Sequence, residues 1–177
     1  MSAPSHKAHH DSAVKVVPTA VITVSDTRTL ETDTGGALVV EFLLGAGHEL
    51  TSREIVPDEA KAISAALSAA LAADGTRAII LTGGTGVAPR DVTPESVEPL
   101  LDRLVPGFGE IFRALSFEEI GSAAVLSRAL AGIANGRVVF VLPGSRGAVR
   151  LGMERLILPE IGHLAAEAVK LPAIKGG

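Results

Sequence analysis

Three stretches of this chain put glycine and small polar residues where chemistry on phosphate would need them. The first is Val24-Ser25-Asp26. The second is Thr82-Gly83-Gly84-Thr85-Gly86, which runs on to Pro89-Arg90-Asp91-Val92-Thr93-Pro94-Glu95. The third is Leu142-Pro143-Gly144-Ser145. Glycines reach positive φ and let backbone N–H groups converge on an anion without obstruction by a Cβ. Gly83, Gly84, Thr85 and Gly86 therefore form a candidate phosphate cradle; the plainer reading is a tight strand-to-helix turn with no ligand. The turn is not a Walker loop, because no Gly-Lys-Ser/Thr follows, and it lacks the third glycine of the dinucleotide fingerprint.

Asp91 lies just beyond this turn, beside Arg90. A carboxylate near bound phosphates repels them unless a cation stands between. Mg²⁺ is the natural bridge, since it takes one or two carboxylates together with phosphate oxygens and water. In the alternative, Asp91 caps the next helix or pairs with Arg90. Asp58, in Pro57-Asp58-Glu59 ahead of an Ala/Leu-rich run, reads as a helix N-cap on its own terms. Ser25 and Asp26 suit phosphate or ribose, or cap a turn. Gly144 and Ser145 precede a helix whose N-terminus is competent for an anion. His6, His9 and His10 lack the preorganised neighbours that a metal site needs.

The elements that must position these residues alternate. Thr19–Val24 is a short β-branched strand. Asp33 caps a helix through about Leu44, and His48–Val56 is a second strand. A helix from Asp58 to about Ala73 and a third strand, Arg77–Thr82, follow. This order predicts an α/β fold: a three-layer, doubly wound, mostly parallel sheet with helices on both faces. Thr93-Pro94-Glu95 opens a helix expected to reach Leu104, with Pro94 at its first position. Pro106-Gly107 reads as a break and Phe108–Phe117 as a short helix. Gly121–Ala134 fits either a hairpin or a helix. Arg137–Leu142 is a strong strand, a helix covers about Arg146 to Leu156, Pro159 interrupts, and a last helix fills Ile161–Val169. Phe108, Phe112 and Phe117 suit a core-facing helix better than an interface.

Composition narrows the function. The 177 residues suit one domain, expected over residues 16–177 behind a disordered tail over 1–15. With no cysteine, thiol nucleophiles, thiolate zinc and iron–sulfur clusters are excluded. A net charge of −4 leaves no footprint for nucleic acid, and no apolar stretch suits a membrane span. A cytoplasmic location is expected, because the start carries no apolar signal core.

Together, Thr23–Asp26, Val56-Pro57-Asp58, Leu81–Gly86, Pro89–Glu95, Gly107–Glu110, Leu126-Ser127-Arg128 and Leu142-Pro143-Gly144 resemble the molybdenum cofactor biosynthesis MoaB/Mog family over about Pro18–Val169. The resemblance implies the molybdopterin-binding fold and assembly as a homotrimer or homohexamer. It also implies Mg²⁺-dependent transfer of AMP from ATP to molybdopterin. On that reading Asp58 and Asp91 are catalytic and hold the metal. Ser25, Asp26, Gly83–Gly86, Arg90, Ser127, Gly144 and Ser145 contact nucleotide or pterin. Arg90 or Arg128 would neutralise further phosphate charge. Contacts with other cofactor-assembly proteins are expected, and none with nucleic acid or membrane. Ser145 stands where many relatives carry Asn. Ser116–Gly121 looks like the MoaB branch, some members of which lack transferase activity, so a catalytically silent pterin carrier is the alternative.

Overall fold

The computed structural model describes residues 14–170. Residues 1–13 of the expected tail, its three histidines included, lie outside the described residues, as do residues 171–177 of the expected domain. Val14, at the described start, donates its N–H to Gly162 O. Six strands form one sheet in the order β2-β1-β3-β6-β5-β4. They are β1 (Pro18–Val24), β2 (Glu49–Val56), β3 (Ala78–Thr82), β4 (Arg103–Leu104), β5 (Leu130–Ala134) and β6 (Arg137–Leu142). β1 runs parallel to β2 and β3, and β3 parallel to β6, whereas β5 and β4 run antiparallel at one edge. The expected mixed, mostly parallel α/β sheet is present. Its central strands are continuous apolar runs because both faces are covered.

Two cores account for that covering. On one face Val21, Ile80, Val138 and Phe140 pack with Leu38, Val39 and Leu43 of α1 (Thr34–Gly45). Phe108 and Phe112 of α4 (Pro106–Ile120) and Val149 of α5 (Arg146–Gly152) join them, as does Ile161 of α6 (Leu158–Ala168). On the other face Ile22, Ile79, Leu81 and Val139 meet Ile63, Leu67 and Leu71 of α2 (Ala60–Ala72) and Val97 of α3 (Thr93–Val97). Successive strand residues alternate between these cores, as the pleat requires. Each fully buried Ile, Leu or Phe contributes roughly 1.5–3 kcal/mol over leaving it exposed.

Four expectations are corrected. Glu59, not Asp58, is the N-cap of α2, and it makes no side-chain cap bond. The helix at Thr93 stops at Val97, passes through a 3₁₀ turn at Glu98–Leu100 and gives way to β4. Thr93 and Pro94 are both inside it, with Val92 as cap. Pro99, which lacks an N–H, sits in that 3₁₀ turn. Pro106 does not break a helix but begins α4 near its N-terminus, where a missing N–H is harmless. Pro159 does not interrupt the last helix: it lies in the first turn of α6, which continues from α5 through a π-helical turn at Met153–Ile157. The ambiguous stretch resolves into a 3₁₀ turn at Gly121–Leu126, then β5, which forms a hairpin with β6 through Asn135-Gly136. Both turn residues have positive φ, as a tight hairpin turn demands.

Phe108 and Phe112 face the core as expected, with the Phe108 and Phe140 rings 5.4 Å apart between centroids. Phe117 does not; it is 61% exposed. Nine residues at about 100° each carry it round to the side opposite Phe108. No helix among the described residues is long and apolar enough to cross a membrane.

Candidate active site

The carboxyl ends of β1, β3 and β6 deliver the three motifs to one crevice, the place where open α/β sheets hold ligands. Gly83 N–H donates to Leu142 O at 3.0 Å, so the glycine turn after β3 is tied to the end of β6. Among the described residues, the N–H groups of Gly84, Thr85 and Gly86 donate to no acceptor. A cavity of about 360 Å³ is lined by Gly83–Gly86, Asp91, Ser127, Gly144 and Ser145, with Phe112 and Ile120 of α4 at its apolar side. A smaller one of about 110 Å³ shares Gly83 and Gly144 and adds Ser25, Arg28 and Thr34. Most of the sequence-derived site residues therefore line two neighbouring hollows that share Gly83 and Gly144, whereas Asp26, Asp58 and Arg90 line neither.

The two aspartates press on the turn between them. A Cβ added at Gly84, whose φ is +61°, would lie 2.2 Å from Thr93 Oγ1 and 2.8 Å from Asp58 Oδ1. One added at Gly86 would lie 2.6 Å from Asp91 Oδ2. Glycine is required at both places by space, and at the first by conformation as well. Asp91 Oδ2 accepts the Ala88 N–H at 2.9 Å, and Asp91 N–H returns to Ala88 O, so the loop fixes this carboxylate. Asp58 is placed differently. Its N–H donates to Asp26 Oδ1 at 3.1 Å, but its own Oδ1 is buried without a hydrogen-bond partner. Burial pushes the Asp58 carboxyl above its ordinary value; an N–H from Val92 opposes this, the negative charges of Asp91 and Asp26 add to it, and Arg90 offsets part.

The arginines are already engaged. Arg90 pairs with Asp26 at 2.6 Å on the exposed rim. Arg128 donates through Nε to Thr85 O at 3.3 Å, through Nη2 to Asp91 O, and through Nη1 to the Glu95 carboxylate. Burial raises Glu95, but its own backbone N–H and Arg128 outweigh that and hold it below the ordinary range. Ser25 Oγ accepts from Thr27 and Arg28 N–H, and Ser145 Oγ accepts from Ala148 N–H as the cap of α5. Ser25 thus also performs the turn-capping role weighed from the sequence, while Ser145 takes a helix-cap role that the sequence reading did not assign. The Ser127 hydroxyl is buried and unpaired.

Sequence reasoning passed over Thr93 as a functional residue. Its Oγ1 is buried and unpaired beside Asp58. Its only local signal was the helix start that it shares with Pro94. Among the described residues no three acidic or histidine side chains cluster as an all-protein metal cage. Two carboxylates beside a phosphate cradle match the sparser ligand set of Mg²⁺, which leaves positions for substrate oxygens and water. The orphaned Asp58 Oδ1 is the atom that such a cation fits.

Residues 20–163 match the family described as a probable molybdopterin binding domain. The chain belongs to this molybdopterin-binding family. It is 50% identical over 167 residues to molybdenum cofactor biosynthesis protein B of Halalkalibacterium halodurans, covering 94% of this chain and 98% of the relative. The corresponding protein of Bacillus subtilis is also 50% identical over 167 residues, with the same coverage of each chain. A crystal structure of a molybdenum cofactor biosynthesis protein B superposes with a TM-score of 0.86 at 50% identity, covering 88% of this chain and 98% of that one. The tungsten cofactor synthesizing protein MoaB from Pyrococcus furiosus superposes at 0.80 with 42% identity, covering 89% and 100%. These family relatives support a role in molybdenum cofactor biosynthesis, and their fold is the one described above.

Proposed function

We propose that this protein transfers the adenylyl group of ATP to molybdopterin, with Mg²⁺ held by Asp58 and Asp91. The observation that carries the reading is the Asp58 Oδ1: a buried carboxylate oxygen with no partner, crowded by other acids, against a glycine turn. A protein keeps such a cost where a ligand removes it. The bound ion supplies neutralisation of the triphosphate charge.

The protein's own part is placement. An oxygen of the pterin's phosphate forms a bond to the α-phosphorus of ATP, and the bond from that phosphorus to the departing pyrophosphate oxygen breaks. Such a nucleophile is already ionised near neutral pH and needs no general base. Both reactants are anions, so positioning and charge compensation dominate the barrier. The N–H groups of Gly84, Thr85 and Gly86 point no bond elsewhere and steady phosphate oxygens. Arg90, on the rim, supplies a cation for the outer phosphates once it leaves Asp26. The apolar side of the larger cavity suits the pterin's flat ring system.

The exposed Phe117, Ile120, Val125 and Leu126 beside this cavity support the self-association that the family likeness implies, as trimer or hexamer. Incubation with molybdopterin, ATP and Mg²⁺ tests the reaction. Pyrophosphate and adenylylated pterin are expected in equal amounts. Retention of pterin without pyrophosphate release would replace transfer by carriage.

A further inference from the structure

We infer that Arg128 is a positioning residue that sets the active loop, rather than a cation for substrate phosphate. The inference rests on the adenylyl-transfer reading for its kinetic part only. Arg128 comes from the segment between the 3₁₀ turn at Gly121–Leu126 and β5, the wall facing the glycine turn. Its one guanidinium reaches Thr85 O, Asp91 O and the Glu95 carboxylate, three acceptors that bracket the loop from its start to the first turn of α3. The loop's other ties are Ala88 with Asp91 and Thr93 N–H with Gly84 O inside it, Gly83 N–H with Leu142 O at its start, and the exposed Arg90–Asp26 pair; none of these reaches Asp91 from across the crevice. The fork therefore holds the Asp91 main chain, and with it the carboxylate, against the opposite side of the crevice. With Nε and both Nη atoms donating to the protein, the orientation of the guanidinium is set before any substrate arrives. A lysine keeps the charge but lacks the planar fork that spans such acceptors.

Three variants test this: Arg128→Lys, Arg128→Gln and Glu95→Gln. Hydrogen exchange at the Ala88 and Asp91 amides and Mn²⁺ affinity read the tie without any turnover. Both Arg128 variants are expected to exchange faster at these amides, with β3 and β6 unchanged, and to bind Mn²⁺ more weakly. In the transfer assay kcat falls about 10²-fold, as for an ångström-scale misplacement, while KM for ATP moves much less. Lysine gives no rescue. Glu95→Gln weakens one arm by removing its charge and shows a smaller effect in the same direction at an unchanged melting temperature, which separates loosening from misfolding. Wild-type behaviour of Arg128→Lys, a loss confined to KM for ATP, or unchanged amide exchange overturns the inference. If the wild type itself makes no adenylylated pterin, the transfer reading fails, and exchange and Mn²⁺ affinity still decide the role of Arg128.

Discussion

Asp33 and Asp58 sit near the carboxyl ends of neighbouring strands and are treated in opposite ways. Asp33, capping α1, is buried at 3% exposure, yet its oxygens are all served. Oδ1 accepts the Gly36 N–H at 2.8 Å; Oδ2 accepts the Thr23 hydroxyl at 2.7 Å and Arg53 at 3.0 Å. Burial raises its carboxyl, but the Gly36 N–H, Thr23 and Arg53 together outweigh that and hold it below the ordinary value. Asp58 lies among acids with an orphaned oxygen, and burial leaves it above the ordinary value. A carboxylate with every lone pair engaged supports the fold. One left unpaired in the same crevice is held ready for something the chain does not itself contain.

The contrast can be broken at three points. The largest effect is expected from Asp33→Ala, which strands Arg53 and the Thr23 hydroxyl. Removing one partner of a buried pair costs about 3 kcal/mol, measured by denaturant unfolding at neutral pH. Because the folded-state value of Asp33 is depressed, its stabilisation is present above the unfolded value and is lost as pH falls through the folded one. The wild-type advantage over Asp33→Ala should therefore shrink in acid.

Asp91→Asn comes next. Turnover is expected to fall at least ~10²-fold, about 2.7 kcal/mol in barrier, with little change in melting temperature. Undiminished turnover at limiting Mg²⁺ would remove the metal role.

The smallest effect has the opposite sign. Asp58 has a raised folded-state value, so the stability it contributes is present below its unfolded value and is lost as pH rises through the folded one. At neutral pH its ionised form is a cost, and Asp58→Asn should raise the melting temperature by roughly 2 °C while lowering transfer. The gain should vanish in acid. A variant less stable than wild type at neutral pH would make Asp58 a structural residue like Asp33.

What the sequence made legible was local. Strands such as Thr19–Val24 and Arg137–Leu142 are apolar on both faces, and Asp33 stands one residue before its helix. The glycine turn follows from residue types alone. Asp58 was misplaced as a cap because Pro-Asp-Glu before an alanine-rich helix is ordinary capping chemistry, and only the fold brings Gly84 and Thr93 against it. The fate of Arg128 was not legible, since its acceptors lie more than thirty residues earlier in the chain. The outward turn of Phe117 was legible from spacing alone, since nine residues at about 100° each place it opposite Phe108 in any helix that holds both.

The two rims of the sheet end in different ways, and each discourages fibril growth. β4 offers an intruding strand only Arg103 and Leu104, too little backbone to template on. β2 is long, Glu49–Val56, but its exposed positions include Glu49 and Glu54. Parallel in-register stacking of identical copies would set each glutamate on its own image, and that repulsion disfavours the cross-β arrangement.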